Sequence, residues 1–291
     1  MVKLDATISD ALVNPLEDAF CELNRSSWGI EKINNQTPPT LFGYFDTESE
    51  ARDEYARLRA RFAELPEEFA VSDVDDRDWQ NEYKKYLKPW SWRDLHWVPV
   101  WQRGEYKVPE GGKALYFDAG LAFGTGDHPT TRLCAMSMID YASKCDPSEK
   151  FLVDAGCGSG ILALTAKLYG FGKIYGFDRD EEAVRVSEEN AAFNAIPLDG
   201  VKFEHAGIER ALSGKKADII LANIISDVLC IYADVLLGAV ADGGLLVLSG
   251  ILARENESVA DYFRSRGGAR VASCEGAAMG EWSRLEIKMK G

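Results

Sequence analysis

The sequence predicts an α/β protein: a doubly wound, seven-stranded sheet ending in an antiparallel hairpin, with a small α+β domain in front. Three observations carry this. From residue 151 short apolar runs alternate with helical patterns, the last two β-like runs have no helix between them, and the first 75 residues read strand–helix–strand–strand–helix–strand. Strands flanked by helices are covered on both faces and are therefore apolar throughout, which marks a parallel sheet.

The elements follow in order. "VKLDATI" alternates as a half-buried strand does, and Leu12, Leu16, Ala19 and Leu23 then recur at helical spacing. "GIEKIN" and "TLFGYFD" form a strand pair around the turn "NNQTPP". "TESEARDEYARLRARFAELP" is a helix, with Thr47 capping its start, Glu50 closing a capping box and Pro66 beyond its end. "FAVSDV" supplies the last strand. This order predicts a ferredoxin-like domain over residues 1–75, a fold that serves many functions.

Residues 76–110 read as a Trp-rich linker. "DWQNEYKKYLKPWSWRDLHWVPVWQ" carries five of the seven tryptophans, interleaved with basic residues. Such a stretch is either a stacking platform for single-stranded nucleic acid or an aromatic face that packs one domain against the next. The acidity of the surrounding chain favours packing. Residues 111–291 form the remaining domain. Its strands are "FLVDAG", "KIYGFD", "VKFEHAG", "ADIILANI" and "GGLLVLSGI", separated by helical stretches such as "DEEAVRVSEENAAFNA" and "NESVADYFRSRG". "ARVASCEG" and "EWSRLEIKM" close the chain as the hairpin.

Composition narrows the function. The 291 residues have a net charge of −14, so broad adhesion to DNA or to an anionic membrane is not expected. Residues 1–78 hold 8 Lys and Arg against 18 Asp and Glu, which makes this segment the most acidic part. It is either a solvated surface or a face that attracts a basic partner. The six cysteines form no CxxC pair and no zinc-type cluster with histidine, so no metal is expected and a reducing compartment is. No signal-type N-terminus or membrane-length apolar run is present, and a cytoplasmic protein is expected.

Two glycine-rich stretches lie close together, "GLAFGTGDHPTT" at 120–131 and "VDAGCGSGI" at 153–161. In the second, a buried strand runs into Gly156, Gly158 and Gly160 and a helix opens at once, so a ligand can approach the backbone closely. Asp178, at the end of the next strand, stands where a carboxylate accepts hydrogen bonds from ribose hydroxyls. The spacing is GxGxG, not the GxGxxG of NAD enzymes, and no P-loop Lys-Ser/Thr follows. Asp154 suits a cationic cofactor, S-adenosylmethionine, better than a dinucleotide; it either touches that cofactor or caps the loop. A terminal hairpin is likewise typical of methyltransferase sheets and unusual in dehydrogenases. Asn223, in "LANIIS", lies at the carboxyl edge where open α/β sheets bind ligands. There it can orient an amine by accepting a hydrogen bond, or it can serve a tight turn.

Four stretches then carry a resemblance: "DWQNEYKKYLKP", "GLAFGTGDHPTTRLC", "DAGCGSGILAL" with "GFDRDEEAVRVSEENAAFN", and "LANIIS" with "LSGIL". From about residue 76 to its end the chain resembles the PrmA family of ribosomal protein L-11 methyltransferases. The resemblance implies a methyltransferase sheet, S-adenosylmethionine as methyl donor and a basic ribosomal protein as substrate. The acceptors it implies are lysine amines, with the N-terminal amine or a different protein as alternatives, and the enzyme is expected to act as a monomer. The implied cofactor contacts are Thr131, Gly156, Asp178 and Asn223, joined by Gly158, Gly160, Asp154, Phe123 and Gly124. Asn223 takes the catalytic role. The first glycine stretch becomes a lid over the cofactor, with Pro129 in a first helical turn. His128 is either a base or a loop anchor. Asp127 stands where the family usually has threonine, and "NIIS" where it usually has "NIL".

Overall fold

The computed structural model describes residues 2–13, 15–16, 20, 28–31, 37–73, 88–117 and 128–291. The chain divides into two compact units, Met1–Tyr86 and Leu87–Gly291.

In the first unit, β1 (Val2–Thr7), β2 (Trp28–Glu31), β3 (Thr40–Phe45) and β4 (Ala70–Asp73) form a sheet in the order β2-β3-β1-β4, antiparallel throughout. That is the ferredoxin-like strand order. Alternation along β1 sends Val2, Leu4 and Ala6 into a core with Leu41, Phe45, Tyr55 and Leu58. Helix α1 (Glu48–Arg61) starts as its sequence requires: Thr47 Oγ1 accepts from the Glu50 N–H at 3.2 Å. The Glu50 carboxylate reaches one residue further back than a strict capping box, accepting from the Asp46 N–H at 3.1 Å. Of the first helix that the sequence predicts, Leu12, Val13, Leu16 and Phe20 join this core, and most of its span lies outside the described residues.

The second unit contains a seven-stranded sheet. Its members are β8 (Phe151–Ala155), β9 (Lys173–Asp178), β10 (Val201–His205), β11 (Ala217–Asn223), β12 (Val240–Leu252), β13 (Val271–Met279) and β14 (Trp282–Met289), in the order β10-β9-β8-β11-β12-β14-β13. The first five strands pair in parallel, whereas β14 runs antiparallel to both β12 and β13. Helices cover both faces: α2 (Pro129–Ala142), α3 (Ile161–Leu168), α4 (Glu181–Phe193), α5 (Ile208–Leu212), α6 (Ser226–Ile231), α7 (Ala233–Ala239) and α8 (Asn256–Gly267). Successive strand residues accordingly enter different cores. Leu152, Ile219, Leu221 and Val247 pack with Met138 and Leu162, while Val153, Ile220, Leu246 and Leu248 pack with Leu236 and Phe263. Each such side chain contributes about 1.5–3 kcal/mol by leaving water. No helix among the described residues is long and apolar enough to cross a membrane.

One sequence expectation changes here. Residues 88–110 do not run as a linker to the second unit but belong to it. β5 (Trp90–Trp92), β6 (Leu95–Pro99) and β7 (Lys113–Phe117) form a three-stranded sheet. Leu95 and Trp97 enter the same core as Leu162 and Leu164, and Trp97 Nε1 donates to Thr165 Oγ1 at 2.9 Å. The cause is hydrophobic: every residue of β6 is buried, which a linker in water could not sustain.

The chain runs from β8 outward to β10, then crosses back to β11 on the other side of β8. This reversal leaves a crevice at the carboxyl ends of β8 and β11.

Candidate active site

The loop after β8 lies at that crevice. Gly156, Gly158 and Gly160 have φ of +71°, +52° and +75°, a backbone that L side chains rarely adopt. At Gly160, which opens α3, an added Cβ would also lie 2.8 Å from the Ser187 side chain. The loop is tied to β9, where the Gly156 and Cys157 N–H groups donate to the Phe177 carbonyl at 2.9 and 3.0 Å.

Asp178, the last residue of β9, accepts from the Gly158 N–H through Oδ2 and from the Asp180 N–H through Oδ1, each at 3.0 Å. From below, Ser187 Oγ donates to the Gly158 carbonyl and Asn190 Nδ2 to the Ser159 carbonyl, both at 2.9 Å. These two loop supports are absent from the sequence reading. Their signal is a polar pair three residues apart on the face of α4 that also buries Ala183, Val186 and Ala191.

Asp154, the penultimate residue of β8, is 1% exposed, and its Oδ2 accepts from the Ala163 N–H at 3.0 Å in the first turn of α3. Burial raises its carboxyl to about 7; the charge of Asp178 adds to that rise and the Ala163 hydrogen bond opposes it. The side chain thus caps α3 from inside, the second of the two roles the sequence leaves open.

Across the crevice, Asn223 ends β11 and its Nδ2 donates to Thr131 Oγ1 at 3.1 Å. Thr131 is buried in the first turn of α2, where Pro129 occupies the first helical position. His128 is the N-cap of that helix: its ring accepts from the Thr130 N–H at 3.4 Å, and Nδ1 lies 2.7 Å from Thr130 Oγ1. The ring also meets Trp282 edge-on, with centroids 4.8 Å apart. This is the geometry of a loop anchor.

Ile224, the next residue after Asn223, bridges the two halves of the crevice. Its side chain lies where a Cβ on Gly156 would come within 3.3 Å, and its backbone rests on Gly250. The structure therefore brings Gly158 to Asp178 and Thr131 to Asn223, while Asp154 lies beneath the loop. Phe123, Gly124 and the rest of 118–127, including Asp127, lie outside the described residues. No group of three or more His, Cys, Asp or Glu among the described residues could hold a metal ion.

The glycine loop thus stands at the switch point between the Asp178 carboxylate that ends β9 and the Asn223 amide that ends β11. Comparison with known proteins gives a direction. The profile of the family described as ribosomal protein L11 methyltransferase (PrmA) matches residues 7–290. A ribosomal protein L11 methyltransferase of Clostridium perfringens is 33% identical over 257 residues, 85% of this chain and 78% of its own. One from Hydrogenovibrio crunogenus is 28% identical over 302 residues, 98% of this chain and 97% of its own. The crystal structure of a ribosomal protein L11 methylase from Lactobacillus delbrueckii superposes with a TM-score of 0.60 at 26% identity, covering 70% of this chain and 100% of that one.

Proposed function

Because the chain belongs to the ribosomal protein L11 methyltransferase (PrmA) family, we propose that it transfers methyl groups from S-adenosylmethionine to lysine side-chain amines of ribosomal protein L11. The observation that carries this reading is the Asn223–Thr131 pair set across the crevice from the glycine loop and Asp178.

The crevice fits the cofactor. The three positive-φ glycines open the backbone to a ligand, Asp178 offers carboxylate oxygens to a ribose, and the spacing is GxGxG, not the GxGxxG of dinucleotide sites. Gly156, Gly158, Gly160 and Asp178 would hold it from the sheet side and Thr131 from α2. When bound, S-adenosylmethionine supplies a methyl group already activated by its sulfonium, so the protein's task is placement.

The remaining steps belong to side chains. A lysine ammonium, with a pKa of about 10.4, has no free lone pair. Withdrawal from water lowers that pKa and favours the neutral nucleophile. With Nδ2 of Asn223 committed to Thr131, its Oδ1 is the arm that accepts from the amine N–H and aims the nitrogen lone pair. The proton leaves to solvent before attack. Asn-Ile-Ile-Ser has neither the prolines nor the stacking ring of enzymes that methylate planar nitrogens, which favours a flexible alkyl amine. The acidic first 78 residues favour a basic protein substrate, and a ribosomal target puts the reaction in the cytoplasm.

The test is intact-mass spectrometry of unmethylated L11 incubated with the enzyme and S-adenosylmethionine, with Asn223→Ala alongside. Methyl increments that disappear in the variant are expected. An unchanged L11 mass with cofactor still bound would refute the substrate.

A further inference from the structure

The chain leaving Asn223 turns its next two side chains opposite ways. Ile224 packs inward at Gly156, whereas Ile225 stands 62% exposed. Helix α6 begins at Ser226, and between α6 and α8 lies an open groove of about 390 Å³ lined by Ser226, Asp227, Cys230, Glu255, Val259 and Tyr262. Ser226 Oγ donates to Glu255 at 2.8 Å across it. Asp227 and Ile231 share one face of α6, four residues apart.

Five large apolar side chains stand exposed among the described residues; Tyr262, at 40%, lines this groove, and Ile225 and Ile231, at 62% and 73%, are the chain neighbours of its lining residues Ser226 and Cys230. Single exposed apolar residues need no explanation, but several within one short stretch beside an acidic groove mark an interaction surface. The charged side chains that line the groove are both acidic, Asp227 and Glu255, with Arg254 4.0 Å from the Glu255 carboxylate.

We propose that this groove docks the segment of the substrate protein next to the acceptor lysine, a stretch with an apolar side chain among lysines or arginines. The inference rests on the proposed function. Only Ile224 and Ile225 lie between Asn223 and Ser226, three chain steps or at most about 11 Å, so a backbone lying in the groove can extend a lysine to Asn223. Proteins that bind the ribosome's polyanionic RNA carry excess Lys and Arg, which complements the acidic lining. The charges steer the approach, and burial of Ile225, Ile231 and Tyr262 supplies affinity.

The test is steady-state methylation of L11 by the full-length enzyme and its Asp227→Lys and Ile231→Ser variants. Leu198→Ser serves as control, because Leu198 is similarly exposed but outside the groove. In both groove variants KM for L11 should rise about five-fold or more, with kcat within about two-fold and cofactor affinity unchanged. The Leu198 variant should match the wild type. An unchanged KM overturns the inference, as does a joint fall of kcat and cofactor affinity, which would make α6 a support for Asn223. Absence of transfer by the wild type overturns the proposed function and this inference with it; transfer with unaltered variants overturns the inference alone.

Discussion

Asn223 and Thr131, 92 residues apart in the chain, meet in one hydrogen bond of 3.1 Å from Nδ2 to Oγ1. The bond joins the end of β11 to the first turn of α2 and fixes which arm of the Asn223 amide is left for an incoming amine.

Removing the acceptor should therefore act through the donor. Thr131→Val takes away one part-buried hydrogen bond, worth about 1 kcal/mol, or roughly five-fold in rate, and lets the amide rotate. Thr131→Ser should restore most of the rate. Asn223→Ala should cost about 100-fold in kcat, since it removes the positioning group itself. Initial rates at saturating cofactor and substrate decide this. Full activity in Thr131→Val would show that the bond does not orient Asn223.

Gly250 governs the same residue from β12. Its φ is +84°, and a Cβ there would lie 2.5 Å from the Ile224 carbonyl oxygen, part of a backbone that also donates to the Ser249 carbonyl at 3.1 Å. Gly250→Ala should push the Asn223–Ile224 turn outward and lower kcat by about ten-fold or more. It should also cost about 1–2 kcal/mol in backbone strain. Rate and urea denaturation are to be measured on the same preparation. A loss of stability with kcat intact would separate the turn from catalysis.

The buried Trp97–Thr165 bond makes a stability prediction. Thr165→Val leaves the indole N–H unsatisfied inside the core that joins β6 to α3, at a cost of about 1–3 kcal/mol. Thr165→Ser retains the acceptor and should lose much less. Equal losses in the two variants would assign the effect to packing.

These residues also mark what the sequence can and cannot disclose. Strand–helix alternation is legible because Leu152 and Val153 must both be apolar when each face of β8 is covered. The hairpin is legible because nothing helical separates β13 from β14. Thr47 is a cap within its own four residues. The three glycines and Asp178 stand out because strand, loop and helix follow one another at short range. By contrast, the aromatic run at 88–102 states that something must be buried but not against what, and its partner Thr165 lies 68 residues on. Ser187 and Asn190 look like ordinary helix positions until the glycine loop folds over them. Asp154 is ambiguous for the same reason, because only its burial and the Ala163 N–H distinguish cap from contact.

That burial gives Asp154 a pH signature of definite sign. Its carboxyl is held at about 7 in the fold, against 3.8 in the unfolded chain. Between these values the native state keeps a proton that the unfolded state has released, so stability falls as pH rises, by up to about 1.4 kcal/mol per pH unit. The contribution is fully present below 3.8 and fully lost once pH has passed about 7. Asp154→Asn retains an oxygen to accept from the Ala163 N–H and carries no charge at any pH. Its stability relative to wild type should therefore climb from pH 5 to pH 7 and level off by pH 8. Urea denaturation of both proteins across that range reads the difference directly. A gap that stays constant would mean that Asp154 ionises in its ordinary range, and that the interior cap of α3 is a charged one.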